Sequence, residues 1–150
     1  RDPRDVAWMW RRLLVSLGLA HRAGVVHGAV LPEHVLIEPV EHGVVLADWC
    51  YAVTERDDTV PALVPSYLDW YPAEVGERRR PGPGTDIAMA ARCMSALMGE
   101  RVPRELRAFA GGCMMPALAQ RPDDAWRLLG ELDGVLEALY GPRTFRPFKP

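Results

Sequence analysis

The chain has 150 residues, 49% hydrophobic and 25% charged, enough for one compact domain with its own core. Its formal net charge of -2 argues against general nucleic-acid binding, and no apolar run is long enough to span a bilayer. No secretory signal pattern opens the chain, and its start at Arg1 leads us to expect a fragment or a processed product.

The three cysteines, Cys50, Cys93 and Cys113, form no C-x-x-C pair. Cys93 and Cys113 fall on apolar helical faces and are expected to be buried free thiols, which suits a reducing, cytoplasmic setting. The chain contains no Asn, and its only Lys is Lys149. Arginine carries nearly all the positive charge, as in a GC-rich bacterial genome. That bias does not release an enzyme from keeping an Asn or Lys its chemistry requires.

In chain order, Val6, Met9, Trp10, Leu13, Leu14 and Leu17 recur at helical spacing and predict a helix from about Asp5 to Arg22, capped by Asp5 and stopped at Gly24. Val25 to Leu36, with Pro32 inside it, reads as a loop entering a strand. Val35-Leu36-Ile37 and Val44-Val45-Leu46 flank Glu41-His42-Gly43 and predict a small hairpin. Tyr51 to Val75 has no period and is punctuated by Pro61, Pro65 and Pro72, so it reads as a long loop, a feature that usually serves function. Trp70 and Tyr71 in this loop are candidates for a binding surface, whereas the other tryptophans read mostly as core. Arg78 to Gly84 reads as a solvated basic turn. Thr85 to Met98 is apolar almost all round and predicts a buried helix capped by Thr85. Arg104 to Met115 predicts a shorter amphipathic helix. The last helix is expected over Pro122 to Leu139, with Pro122, Asp123 and Asp124 in its first turn and Gly141-Pro142 ending it. The domain thus covers residues 1–140, mainly helical with one small hairpin, followed by a basic, aromatic tail over 141–150. Phe145 and Phe148 in that tail read either as a packed strap or as a partner-binding strip.

The run from His21 through His27-Gly28-Ala29-Val30-Leu31-Pro32-Glu33-His34 to Leu36 resembles the catalytic loop of protein kinases, where the pattern is H-R-D-L-K-P-E-N before a short strand. Asp48-Trp49-Cys50 resembles the D-F-G element and Pro72-Ala73-Glu74 the A-P-E element. Asp86 matches the buried Asp of the family's central helix, and Arg121 the late Arg that pairs with the A-P-E Glu. Ala29 to Asp48 is 19 residues and Glu74 to Asp86 is 12, both near the family's separations. The resemblance runs from about Asp5 to Leu139 and implies a protein-kinase-like C-terminal lobe, α+β overall, without its N-terminal lobe. The stretch from Asp86 to Arg121 is also too short for the helix that usually follows the central one.

The resemblance further implies an inactive site. Phosphoryl transfer depends on positioning and charge neutralisation. The position of the catalytic Asp is Ala29, that of the phosphate-binding Lys is Leu31, and that of the metal-binding Asn is His34, whose imidazole suits Mg²⁺ poorly. Asp48 is retained as a residual metal-ligand position. Losing the general base alone removes about 10²–10⁴ in rate. The supporting residues remain: His27 is expected to pack beneath Trp49 and meet Asp86, and Glu74 to pair with Arg121. Gly28 replaces the Arg that often reads a phosphorylated loop. Asp48, His34 and Cys50 are expected to lie close together. They are transition-metal ligand types, although local bonding of Asp48 and packing of Cys50 is the plainer reading. His21 and His42 read as a packed helix residue and a turn residue.

We therefore expect a catalytically inactive, pseudokinase-type binding or scaffolding module with a protein partner, no catalytic residue, no cofactor, no nucleic-acid or membrane binding, and no ATP binding by a fragment with half the cleft missing. His27-Gly28 and Asp48-Trp49 also look like aminoglycoside- and choline-type phosphotransferases, which need the same Asp where Ala29 stands. A third reading has the exposed, partly apolar face that an N-terminal lobe would cover completing another chain.

Overall fold

A computed structural model describes residues 1–148; Lys149 and Pro150, the end of the predicted tail, lie outside the described residues. The chain is mainly helical with one two-stranded antiparallel sheet. Helix α1 spans Pro3–Arg22, strands β1 and β2 Val35–Glu38 and Gly43–Leu46, and a short α2 Ala73–Gly76. Helices α3, α4 and α5 follow over Pro83–Met98, Arg104–Cys113 and Ala125–Tyr140.

The apolar stripe of α1 is sealed: Val6, Trp10, Leu13, Leu14 and Leu17 have no exposed surface. This stripe packs against α3 and α5 and, on its flank, against β2. Gly18 lets α5 approach, because a Cβ there would stand 2.5 Å from the Trp126 indole. An Arg11–Asp133 ion pair joins the same two helices. Helix α3 buries every residue from Gly84 to Ala91 and, beyond Arg92, also Cys93, Met94 and Met98, as its largely apolar character predicts. It forms the centre about which the rest is arranged.

Three caps differ from expectation. Asp2, not Asp5, caps α1, accepting from the Arg4 N–H at 2.9 Å. The advance of the start is local: Pro3 suits a first helical position, where its missing N–H is not needed. Helix α5 begins at Ala125, because Asp124 adopts extended backbone and accepts from the Trp126 and Arg127 N–H groups. Helix α3 starts at Pro83, so Thr85 lies within its first turn rather than before it.

The predicted long loop is less irregular than its composition suggests. One 3₁₀ turn occupies Trp49–Tyr51, two more meet at a kink at Tyr67 within Pro65–Trp70, and α2 follows Pro72. Tyr71 is not a surface residue: it is buried, and its hydroxyl accepts from the Val64 N–H at 3.1 Å. Trp70 remains half-buried, edge-on to Tyr67 and beneath the Arg92 guanidinium. Arg78, Arg79 and Arg80 are exposed, but the expected solvated turn stops there: Pro81 and Gly84 are buried and α3 already begins at Pro83, while Arg78 and Arg80 reach back to the carbonyls of Val60 and Glu55.

In the hairpin, Val35 pairs with Leu46, Leu36 with Val45 and Ile37 with Val44. Alternation places Val35, Ile37, Val44 and Leu46 against the core, while Leu36 and Val45 form a cross-strand pair more than half exposed to solvent. Trp49, expected inside, is also 40% exposed. The tail packs on the body: Phe148 joins the margin of the core and Arg146 pairs with Asp2 and Asp5. Among the described residues, no helix is long and apolar enough to cross a membrane.

Cys93 and Cys113 are buried, and desolvation pushes both thiols up to about 12, whereas Cys50 is exposed rather than packed. Thiolate is the reacting form. Titration with a thiol reagent at pH 8 is therefore expected to modify one cysteine in the native protein and three in denaturant. Two or more reacting natively would contradict this burial.

Candidate functional site

The buried carboxylate of Asp86 organises the centre of the molecule. It has no exposed surface. One oxygen accepts from the His27 N–H at 2.7 Å, the other from the Gly28 N–H at 2.8 Å. The His21 Nε2 lies 2.8 Å from the first of these oxygens. One side chain thus joins the end of α1, the following loop and the start of α3. The loop can offer two successive N–H groups because Gly28 has φ +75°, a left-handed conformation costly for other residues. A Cβ at Gly28 would also stand 3.0 Å from Val60 and 3.1 Å from the Tyr51 carbonyl.

His27 meets Asp86 through its backbone; its ring is engaged elsewhere. Nδ1 accepts from the Ala29 N–H at 3.2 Å, so Nε2–H donates to the Ala47 carbonyl at 2.8 Å. The edge of the ring packs on Trp49, with centroids 4.6 Å apart, and the Trp49 indole N–H donates to the Leu46 carbonyl. Desolvation lowers the His27 pKa, outweighing the Ala47 bond and the attraction of Asp86. A base depressed in the folded state adds stability above its ordinary value near 6.5, and loses it as pH falls through the folded value. Urea midpoints are therefore expected to fall between pH 7 and pH 5, and less steeply in His27→Gln. Equal slopes in both proteins would contradict a neutral, buried His27.

His34 is buried, with Nδ1 2.7 Å from the Ala29 carbonyl and its ring stacked on Tyr51. Its Nε2 lies 3.3 Å from Asp48 and 3.7 Å from Glu33. Asp48 itself takes left-handed backbone, φ 60° and ψ 49°. His34 and Asp48 therefore meet as expected, but the Cys50 sulfur points to the Asp48 carbonyl at 3.9 Å. Among the described residues, no group of three His, Cys, Asp or Glu side chains is arranged to hold a metal ion.

The two remaining loop positions, Ala29 and Leu31, have no exposed surface and belong to the main hydrophobic cluster. A charged group at either would be buried there, at substantial desolvation cost.

A second polar anchor lies between α2 and the start of α5. Glu74 is 1% exposed and Arg121 7% exposed. The guanidinium donates to the two carboxylate oxygens at 2.6 and 3.2 Å, and to the carbonyls of Met115 and Pro116 at 2.6 and 2.9 Å. The Thr85 hydroxyl donates to Glu74 at 2.9 Å and accepts from the Gly82 N–H at 3.0 Å, linking this pair to α3. Burial pushes the Glu74 carboxyl up, but the bonds from Arg121 and Thr85 outweigh it and hold the carboxyl below its ordinary range.

The sequence reading anticipated the Glu74–Arg121 pair and the Asp86 anchor but missed two partners. His21 bonds Asp86, and the available signal was a histidine in the last turn of an otherwise apolar helix. Thr85 bonds Glu74, and its signal was the neighbouring Asp86, which already required a polar helix start.

Neither a protein-family model nor a curated protein matches this chain.

Proposed function

We propose that the chain is a catalytically inactive, protein-kinase-like C-terminal lobe that acts as a protein-binding or scaffolding module. The observation that carries this reading is the contrast within one loop. His27 and Gly28 are bonded to a buried Asp86, while Ala29 and Leu31, where the resemblance asks for a proton acceptor and a phosphate-binding cation, are apolar and sealed. In a loop held this firmly, the two positions that the resemblance assigns to proton acceptance and phosphate binding carry no group for either task, which supports an inactive site. The exposed Leu36, Val45 and Trp49 supply an apolar surface at the hairpin, where a partner would gain most from burial.

The kinship with aminoglycoside- and choline-type phosphotransferases rests on His27-Gly28 and Asp48-Trp49. The buried Glu74–Arg121 pair favours the protein-kinase branch, and both branches lead to the same inactive loop. Thermal unfolding with increasing ATP and Mg²⁺ tests the reading. No shift of the midpoint is expected. Stabilisation by several degrees, lost in Asp48→Ala, would reveal a working nucleotide site and overturn it.

A further inference from the structure

From the way the C-terminal tail sits, we infer that the outer face of α1 and its adjoining groove form a recognition site for peptides carrying an arginine two residues before an aromatic residue. The inference does not depend on the kinase-like reading. The groove lies between α1, β1 and the second half of α3, lined by Met9, Pro32, Val35, Ile37, Met94 and Leu97. With Phe148 in place on its rim, it still encloses about 550 Å³.

The tail shows what chemistry the surface accepts. Phe148 packs edge-on against Trp8, centroids 5.7 Å apart, with the Arg1 guanidinium 5.5 Å from its ring. Arg146 reaches Asp2 at 3.0 Å and Asp5 at 3.5 Å. Phe145 stacks on His42 at 4.7 Å, and His42 stacks in turn on Trp8 at 4.4 Å. All these anchors are side chains: among the described residues, no backbone hydrogen bond ties residues 142–148 to the body. Phe145 is 74% exposed and the Arg146 pairs are only part-buried, so side chains alone hold the strap and salt weakens its ion pairs. Trp8 Nε1 and His42 Nε2 are buried without partners, so the tail covers the surface without completing it. A peptide with the same Arg-x-Phe spacing and a further apolar side chain would meet Asp2 and Asp5 with its arginine and fill what Phe148 leaves open. The chain's own tail is then a tethered competitor.

The test uses the 150-residue chain and a fluorescent peptide of residues 141–148. The doubly substituted Arg146→Ala/Phe148→Ala chain, whose tail is released, is expected to bind it saturably. The wild-type chain is expected to bind at least tenfold more weakly, by about the tethered tail's advantage. Adding Asp2→Asn and Asp5→Asn, which keeps the α1 cap, is expected to weaken binding at least tenfold. Equal binding by wild-type and released chains, or no binding by a released chain with native circular dichroism, would overturn the inference. If the released chain does not fold, wild-type protein is titrated with millimolar peptide and followed by NMR. Shifts at Trp8 and Leu97 support the site, and their absence refutes it. A wild-type dimer in light scattering, joined by exchanged tails, would refute the intramolecular arrangement.

Discussion

Arg121→Ala is expected to destabilise the protein by about 3–5 kcal/mol, because it leaves the Glu74 carboxylate buried without its cation. For a chain of this size that lowers the melting midpoint by roughly 10 °C. Two further carbonyls, of Met115 and Pro116, lose their donor in the same substitution. Removing both charges together, as Glu74→Met/Arg121→Met, is expected to cost less than removing the arginine alone, since no buried charge is then orphaned. The Glu74 carboxyl is held below its ordinary value of 4.5, so its contribution is present above that pH and is lost as pH falls through the folded value. Urea denaturation of the single and double variants checks the ordering. A loss under about 1 kcal/mol for Arg121→Ala would mean that water reaches the pair.

Asp86→Ala is expected to be the most damaging single change. It strips the acceptor from the His27 and Gly28 N–H groups, which have no solvent access, and the partner from the part-buried His21. Each orphaned group costs about 1–3 kcal/mol, so the sum approaches the whole stability of a typical domain. Loss of soluble protein or a non-cooperative transition is the expected outcome. Asp86→Asn keeps one oxygen acceptor and is expected to retain the fold with roughly half the penalty. Hydrogen exchange in Asp86→Asn should accelerate at the His27 and Gly28 amides before elsewhere. Unchanged protection at these two amides would show that the carboxylate is not their partner.

Much of this framework is legible in the residues. Helix α3 is apolar on nearly every side, with Arg92 its one charge past the first turn, and such a pattern has one stable place, the middle of a domain. The two β-rich runs around Glu41-His42-Gly43 announce the hairpin, but both are apolar throughout, so its register, with Gly43 paired to Glu38 inside β2, is not legible in them. Asp86 inside an apolar helix could only persist with dedicated partners. What was not legible depends on contacts far apart in sequence. The α1 cap is the exception, a local signal passed over: Pro3 can begin a helix, which puts Asp2 and not Asp5 at the cap. Tyr71 is drawn inside by the unpaired Val64 N–H, seven residues earlier in an aperiodic stretch. The burial of Ala29 and Leu31, on which the proposed function rests, is a property of the folded core and not of the loop's residue types. The residue types alone show that the Asp and Lys the resemblance asks for are absent, but they do not reveal that restoring a charge would place it in the core.

Transfer of radiolabelled phosphate from ATP and Mg²⁺, to the chain itself and to a general protein acceptor, tests the central claim most directly. Incorporation no greater than that of heat-denatured protein is the expected result, in wild type and in Asp48→Ala alike. Stoichiometric labelling of wild type, abolished by Asp48→Ala, would mean that the loop around Ala29 and His34 still performs chemistry, and the reading as a binding module would fail.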